Sequence, residues 1–322
     1  MHSFTIERAP SVEKAIGASG KFIAGGTTLV DLMKLGVEEP PALVDITRLP
    51  LADVETMPNG GLRIGAMVRN SALAQHSLVI ERYPVLSQAI LAGASPQLRN
   101  MATTGGNLLQ RTRCPYFRDP GYENCNKRSP GTGCAAIDGH HRMMAVLGTS
   151  EHCIATHPSD MCVAMMALEA SILIEGPKGK RTVAIGDFYK LPGTTPHLEN
   201  ALETGELITH VEIPEPARGS GQVYLKLRDR ASYEFALASA AVVAQVEAGR
   251  VRSVKIALGG VGTRPWRSHE AEAALTGKAA TPANFKAAAE AALKDAKPHE
   301  GNAFKVELSR RCLARALKMA TA

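Results

Sequence analysis

The chain has 322 residues, of which 45% are hydrophobic and 21% charged, with 37 basic residues against 31 acidic ones. This balance is typical of a globular protein of two or three domains, and no apolar run approaches the ~20 residues that cross a bilayer. Aromatic residues make up 4%, too few to favour a stacking surface for single-stranded nucleic acid. We therefore predict no membrane insertion and no nucleic-acid partner.

Residues 1–55 predict a small α/β unit. Strands are expected over 4–6, 21–24 and 43–45, and helices over 12–18 and 28–35. The segment Ala24-Gly25-Gly26-Thr27-Thr28-Leu29 links the second strand to the second helix. Glycines let a ligand approach the backbone, and exposed N–H groups at a helix start favour an anion. An ordinary tight turn is the alternative interpretation of this segment.

Residues 56–215 predict a second unit. A strand is expected over 62–65 and helices around 71–76, 84–92 and 161–170. A second glycine turn contains Thr104-Gly105-Gly106-Asn107, and Ser159 or Asp160 is placed to cap the last of these helices. From residue 111 to about 139 no regular pattern is found, and a loop of this length in a compact domain is usually functional or disordered.

Residues 216–322 predict an α+β domain. Strands are expected over 222–230, 235–247 and 251–259, and helices over 282–296 and 302–320. Strands that precede helices in this way indicate a small antiparallel sheet backed by helices.

Four cysteines fall within 40 residues, namely Cys114, Cys125, Cys134 and Cys153. The segment from Arg99 to Arg142 contains seven basic and three acidic residues. Its net positive charge would offset the charge of an anionic cofactor. Four thiolates can bind a [4Fe–4S] cluster or structural zinc, although the close C-x2–4-C pairs of zinc sites are missing. Disulfides are a third possibility in an exported chain. Cys162 and Cys312 are expected to be buried in helices.

The two glycine turns and Asp160 could together hold a dinucleotide, with backbone N–H groups on the pyrophosphate and the carboxylate on sugar hydroxyls. Neither turn has the pattern G-x-G-x-x-G, which disfavours a Rossmann fold.

Several ordered motifs resemble the flavin subunit of the xanthine dehydrogenase, or molybdenum hydroxylase, family over nearly the whole chain. They are Ala24-Gly25-Gly26-Thr27-Thr28-Leu29, Leu43-Val44-Asp45-Ile46, Leu62-Arg63-Ile64-Gly65-Ala66, Ala102-Thr103-Thr104-Gly105-Gly106-Asn107, Pro158-Ser159-Asp160 and the segment 224–233. The resemblance implies an α+β protein with an FAD-binding fold of the PCMH or vanillyl-alcohol-oxidase type and a C-terminal domain like that of the CO dehydrogenase flavoprotein.

The resemblance also implies the cofactor contacts. FAD would be bound by Ala24, Gly25, Gly26, Thr27, Thr28 and Leu29, with Thr104, Gly105, Gly106 and Asn107. Within this set, residues 25–28 and 105–107 would bind its pyrophosphate. Asp160 would bind the sugar hydroxyls, and Lys226 and Tyr233 would lie near the isoalloxazine. No residue of this chain is predicted to be catalytic toward the substrate.

The insertion at about 111–153 is similar to the [4Fe–4S]-bearing flavin subunits of bacterial periplasmic-type aldehyde oxidoreductases and of 4-hydroxybenzoyl-CoA reductase. This implies that Cys114, Cys125, Cys134 and Cys153 bind a [4Fe–4S] cluster. The expected partners are a large subunit with the molybdenum cofactor and a small [2Fe–2S] subunit, in the cytoplasm or co-exported to the periplasm. One alternative is the corresponding subunit of an enzyme like 4-hydroxybenzoyl-CoA reductase. An alternative of another class is a zinc-stabilised scaffold or nucleic-acid-binding protein.

Overall fold

The computed structural model describes residues 1–322, and three separate β-sheets organise the chain. One sheet lies in each of the three predicted regions. The predicted boundary between residues 55 and 56 falls inside a strand, Val54–Thr56, that already belongs to the second sheet. None of the helices combines the length and the apolar character required to cross a membrane.

The N-terminal sheet has three parallel strands in the order β1-β3-β2. Its elements are β1 (Thr5–Arg8), α1 (Val12–Gly17), β2 (Lys21–Ile23), α2 (Leu29–Lys34) and β3 (Ala42–Asp45). Each lies within two residues of its predicted bounds. Parallel strands require crossover connections, which α1 and α2 supply. Residues 24–28 therefore follow the carboxyl end of β2, the edge at which open α/β sheets bind ligands.

The second sheet has five antiparallel strands in the order β4-β5-β8-β6-β7. The elements of this region are β4 (Val54–Thr56), β5 (Leu62–Gly65), α3 (Asn70–Gln75), α4 (Ser77–Arg82), α5 (Pro84–Ala92), α6 (Pro96–Met101), α7 (Thr104–Leu108), α8 (Pro115–Arg118), α9 (Asp160–Ala167), β6 (Ser171–Gly176), β7 (Gly179–Ala184), α10 (Ile185–Phe188) and β8 (Leu207–Ile213). All eight residues of α9 are buried, which explains why its sequence shows no polar face.

The C-terminal sheet is antiparallel, in the order β12-β11-β10-β9. Its region consists of β9 (Gly221–Leu227), β10 (Ala238–Glu247), β11 (Arg250–Gly259), β12 (Trp266–Arg267), α11 (His269–Leu275), α12 (Pro282–Ala292), a short 3-10 helix (Glu300–Asn302) and α13 (Phe304–Ala320). Helix α13 packs on β9 and β10 and buries Cys312. The predicted sheet backed by helices is therefore confirmed, while β12 and α11 were not predicted.

The segment 111–153 contains one short helix, α8, and is otherwise irregular. This irregular stretch was predicted for residues 111–139 and extends further than expected. It is nevertheless compact, because Tyr116, Phe117 and Met144 belong with three of its cysteines to a separate hydrophobic core. Isolated bridges pair Cys125 with Cys134 and Ser150 with Cys153. The irregular segment therefore forms its own core beside the second sheet.

Candidate functional site

The residues of the first glycine turn line a cleft of about 440 Å³, here called the N-terminal cleft. Its wall includes all six predicted residues, Ala24, Gly25, Gly26, Thr27, Thr28 and Leu29. Within the chain, the backbone N–H groups of residues 25–29 donate no hydrogen bond. Five successive amide donors are thus available at the wall of one cleft, an arrangement that suits a phosphate or pyrophosphate.

Two positions of this turn require glycine, each for a different structural reason. Gly26 has φ of +71°, a left-handed conformation that glycine adopts at little cost. A Cβ atom on Gly25 would lie 1.9 Å from the carbonyl oxygen of Met101. Gly25 is therefore needed for close packing of the turn against the end of α6, which brings the first turn next to the second.

The second glycine turn is the first turn of α7, capped by the Thr103 side chain. Its amides are already used, because Gly105 donates to Ala66 O and Asn107 donates to Thr103 O, both at 2.8 Å. Backbone amides of both turns were expected to donate to one anion. The amides of the first turn are free to do so, whereas those of Gly105 and Asn107 are not. Gly105 and Gly106 still line the N-terminal cleft.

Thr104 does not lie in the wall of the N-terminal cleft. Its side chain is fully buried, and its hydroxyl donates to Val68 O at 3.1 Å. Thr103, which was not among the predicted contacts, takes its place in the wall of the N-terminal cleft. Thr104 was expected to contact the ligand. Its buried side chain instead anchors the second glycine turn to Val68.

A second cleft of about 550 Å³, here called the central cleft, lies between the second and the C-terminal regions. Thr27 lines both clefts, so they meet at the first glycine turn. The wall of the central cleft contains the remaining predicted residues, Asn107, Asp160, Lys226 and Tyr233. Pockets for small molecules typically measure roughly 300–1,000 Å³. At about 440 and 550 Å³, the two adjoining clefts together offer room for one long ligand.

Asp160 is held by partners from the C-terminal sheet. The Lys226 ammonium lies 2.8 Å from Oδ2, and the Tyr224 hydroxyl donates to Oδ1 at 2.5 Å. Burial, followed by the neighbouring Asp160 carboxylate, raises the pKa of Tyr224 well above its usual value. Ser159 caps α9 as predicted, because its Oγ accepts from the Cys162 amide at 3.1 Å.

Tyr233 lies at the mouth of the central cleft. Its side chain is 56% exposed, and its φ of +52° is an uncommon conformation for a residue with a side chain. The Arg230 guanidinium lies 5.8 Å from the centre of the Tyr233 ring. Strained, exposed aromatic residues of this kind occur at ligand sites.

The four clustered cysteines line one small cavity, here called the cysteine cavity. Cys114, Cys125 and Cys153 are buried and Cys134 is half-buried, and none forms a disulfide. The expectation of a disulfide framework is therefore not supported. Tyr116 and Phe117 are buried in the same core, where they exclude water from the thiols.

The protein environment acts on the thiols in two opposing ways. Burial raises the pKa of Cys114 to about 12, while the amides of Phe117 and Tyr116 donate to its sulfur and lower it. Burial likewise raises the pKa of Cys134 and Cys153. A bound cation or cluster would be needed to make these buried groups thiolates.

No three side chains of Cys, His, Asp or Glu are arranged closely enough to hold a single metal ion. The arrangement therefore gives no support to a zinc site, and it identifies no metal by itself. The [4Fe–4S] cluster expected from the sequence stays a prediction.

Residues 3–216 match the family described as the FAD binding domain in molybdopterin dehydrogenase. The chain belongs to this family. Residues 223–320 match the CO dehydrogenase flavoprotein C-terminal domain. The protein is therefore an oxidoreductase subunit of the molybdenum hydroxylase family that binds FAD, and the predicted family and fold class are confirmed.

Members of this family with established functions match along almost their whole length. The aldehyde oxidoreductase FAD-binding subunit PaoB of Escherichia coli (strain K12) is 51% identical over 328 residues, covering 100% of this chain and 99% of that protein. The carbon monoxide dehydrogenase medium chain of Hydrogenophaga pseudoflava is 30% identical over 311 residues, covering 95% and 91%. The solved structure of that dehydrogenase without its Mo-pyranopterin moiety matches with a TM-score of 0.78 and 29% identity, covering 99% and 97%.

The clefts of this family member suit FAD on physical grounds. The free amides of residues 25–29 can bind the pyrophosphate, and Thr27 of this turn lines both clefts. Sequence reasoning missed several charged residues in these walls, among them Glu38, Arg111 and Glu199 in the N-terminal cleft and Arg113 in the central cleft. The excess of basic residues between Arg99 and Arg142 was the signal that could have identified Arg111 and Arg113.

Proposed function

We propose that this chain is the FAD- and [4Fe–4S]-binding electron-transfer subunit of a heterotrimeric molybdenum-containing aldehyde oxidoreductase. In this assembly a large molybdenum subunit oxidises the aldehyde, and a small [2Fe–2S] subunit connects it to this chain, which serves an external acceptor. The observation that carries the proposal is the 51% identity over the full length to an aldehyde oxidoreductase FAD-binding subunit.

The two clefts suggest how this chain holds FAD. The amides of residues 25–29 would bind the pyrophosphate at the junction of the clefts. With Lys226 and Tyr233 beside the isoalloxazine, the adenosine half would occupy the N-terminal cleft. Bound FAD supplies the ability to take up two electrons singly and to release them singly or as a pair.

The protein residues supply position and charge around this cofactor. The Lys226 ammonium is fixed by Asp160 and by Ala92 O, at 2.8 and 3.1 Å, so it stays in the wall of the central cleft. Arg113 also lines this cleft, and its buried Nη1 atom has no partner in the chain. Fixed cations near the isoalloxazine favour negative charge on a reduced flavin.

Four features of the cysteine cavity support the cluster. Four thiols face one small cavity, none is paired in a disulfide, backbone amides donate to their sulfurs, and Lys127 lies close enough to Cys153 to lower its pKa. A cube of four irons takes one thiolate per iron and therefore spreads its ligands more widely than a single ion does.

The test is co-expression of this chain with its molybdenum and [2Fe–2S] partner subunits, followed by anaerobic purification. We expect one FAD, four irons and four labile sulfides above those of the small subunit, together with aldehyde-dependent dye reduction. The isolated chain should bind FAD and oxidise no aldehyde. A colourless chain without flavin, iron or sulfide, or aldehyde oxidation by the isolated chain, would contradict the proposal. Reduction of an aryl-CoA thioester without aldehyde oxidation would favour the alternative reductase.

A further inference from the structure

A chain of ion pairs connects the N-terminal cleft with the cysteine cavity, and its centre is the carboxylate of Glu199. Oε2 of Glu199 lies 2.8 Å from Nε of Arg111, and Oε1 lies 2.6 Å from Nζ of Lys127. The three side chains are only 12–23% exposed. A single carboxylate therefore uses one oxygen for each of two cations.

The chain of ion pairs continues from Arg111 along the N-terminal cleft. Nη1 of Arg111 lies 2.7 Å from Oε1 of Glu38, and Oε2 of Glu38 lies 2.5 Å from Nζ of Lys21. Five side chains of alternating charge thus follow one another, in the order Lys21, Glu38, Arg111, Glu199 and Lys127.

The two ends of this series reach different sites. The first four members line the N-terminal cleft, whereas Lys127 lines the cysteine cavity together with Cys153. Arg111 makes a further contact with the core of the cysteine segment, since its guanidinium lies 4.5 Å from the centre of the Phe117 ring. A change at one site therefore has a direct route of contacts to the other.

Both carboxylates of this series are held in the charged form by their cations. Burial acts to raise the pKa of Glu199, but the Lys127 and Arg111 cations outweigh it and lower the value overall. The same balance, with Lys21 and Arg111 as the cations, lowers the pKa of Glu38. Removing one member of a buried charge network leaves its partners uncompensated, so the members fix one another's positions.

We propose that Glu199 is a positioning residue shared by the two cofactor sites. It holds Arg111 in the wall of the N-terminal cleft and Lys127 beside the cysteine cavity. This inference rests on the proposed function. Lys127 brings positive charge to the cluster and Glu199 partly offsets it, so the affinity for FAD and the midpoint potential of the cluster depend on the same carboxylate.

The test is Glu199→Gln in the complete complex, with Glu203→Gln as the matched control. Glu203 lies four residues away and pairs with Lys178, and its side chain is 56% exposed. In Glu199→Gln we expect a more positive midpoint potential of the cluster in an EPR-monitored titration, because a negative charge beside Lys127 is lost. We also expect about tenfold weaker FAD binding, a coupling of ordinary size. The control should change neither value.

Lys127→Met is the second variant, and it still tests the proposal if the Glu199→Gln protein fails to assemble. It should make the potential more negative and weaken FAD binding, although Lys127 lies outside both flavin clefts. A purely structural role would lower the melting temperature without moving the potential. If the wild-type complex holds iron and FAD but neither variant shifts both readouts beyond the control, the inference is wrong and the proposed function stands. A wild-type complex without iron contradicts the proposed function itself.

Discussion

The Nζ atom of Lys226 lies 2.8 Å from Oδ2 of Asp160, and the two side chains are only 4% and 9% exposed. Lys226 belongs to β9 of the C-terminal sheet, whereas Asp160 is the first residue of α9 in the second region. Both residues line the central cleft. This ion pair therefore joins the two regions at the wall against which the flavin is expected to bind.

Replacing Asp160 by Asn should destabilise the protein and reduce its FAD content. The substitution leaves the Lys226 ammonium buried without its anion, and breaking a buried pair in this way costs roughly 3–5 kcal/mol. It also removes a carboxylate that could accept hydrogen bonds from sugar hydroxyls. Denaturant unfolding and the ratio of flavin to protein after gel filtration measure the two effects.

The double variant Asp160→Asn/Lys226→Met separates these effects, because it removes both charges of the pair. It should recover most of the lost unfolding free energy while FAD binding stays weak. If flavin is retained at full stoichiometry in both variants, Asp160 serves the structure alone and does not bind the cofactor.

Replacing Cys125 by Ser should lower the iron and labile sulfide content while FAD is largely kept. The residue lines the cysteine cavity and neither flavin cleft. The matched control is Cys312→Ser, since Cys312 is also buried but lies in α13 away from the cavity. Iron and sulfide assays on both variants give the answer. Equal iron in the two proteins would rule out Cys125 as a ligand.

The sequence predicts the strands and helices of this fold well where hydrophobic periodicity is strong. The N-terminal unit and the strands β9 to β11 are examples, with bounds that differ by at most a few residues. It fails where local signals are weak, as for β12, which has two residues and exists through pairing with β11. Short strands of this type depend on tertiary contacts that no window of sequence contains.

The same division applies to the site. The glycine turns, Asp160 and Lys226 are visible in the sequence as motifs, and the structure brings them to the walls of two connected clefts. Glu199 could not be predicted, because it lies 88 residues from Arg111 and carries no motif of its own. The use of the Thr104 and Gly105 amides within the chain was also hidden, since it depends on the packing of α7 against Val68 and Ala66.

Replacing Gly26 by Ala should weaken FAD binding more than it affects folding. The left-handed conformation at φ +71° costs a residue with a side chain about 1–2 kcal/mol, and the added Cβ would lie 3.1 Å from Cγ2 of Val30. Relaxation of this strain moves the amides that face the N-terminal cleft. Gly219→Ala is the control, because Gly219 has φ +70° in open space and lies outside both clefts. Similar unfolding free energies with weaker FAD binding only in Gly26→Ala are expected, and equal affinities would contradict a role of the turn in binding.

The last prediction concerns Lys305, a fully buried lysine of α13. Its ammonium donates to Met144 O at 2.9 Å and to Gly260 O at 2.5 Å, so it joins α13 to the cysteine segment. No carboxylate pairs with it among the ion pairs of the chain. Burial, and to a smaller extent the nearby Arg142, lowers the pKa of Lys305 from 10.5 to about 7.

Between pH 7 and pH 10.5 the unfolded chain therefore holds this proton and the folded chain releases it. The unfolded state binds more protons in that window, so the contribution of Lys305 to stability rises with pH, by up to roughly 1 kcal/mol per pH unit. Below pH 7 the lysine is charged in both states and its full burial penalty is present. Lys305→Met lacks this titration. The difference in unfolding free energy between wild type and variant should thus change in favour of the wild type from pH 7.5 to pH 9.5, and a constant difference would show that the buried amine keeps its proton.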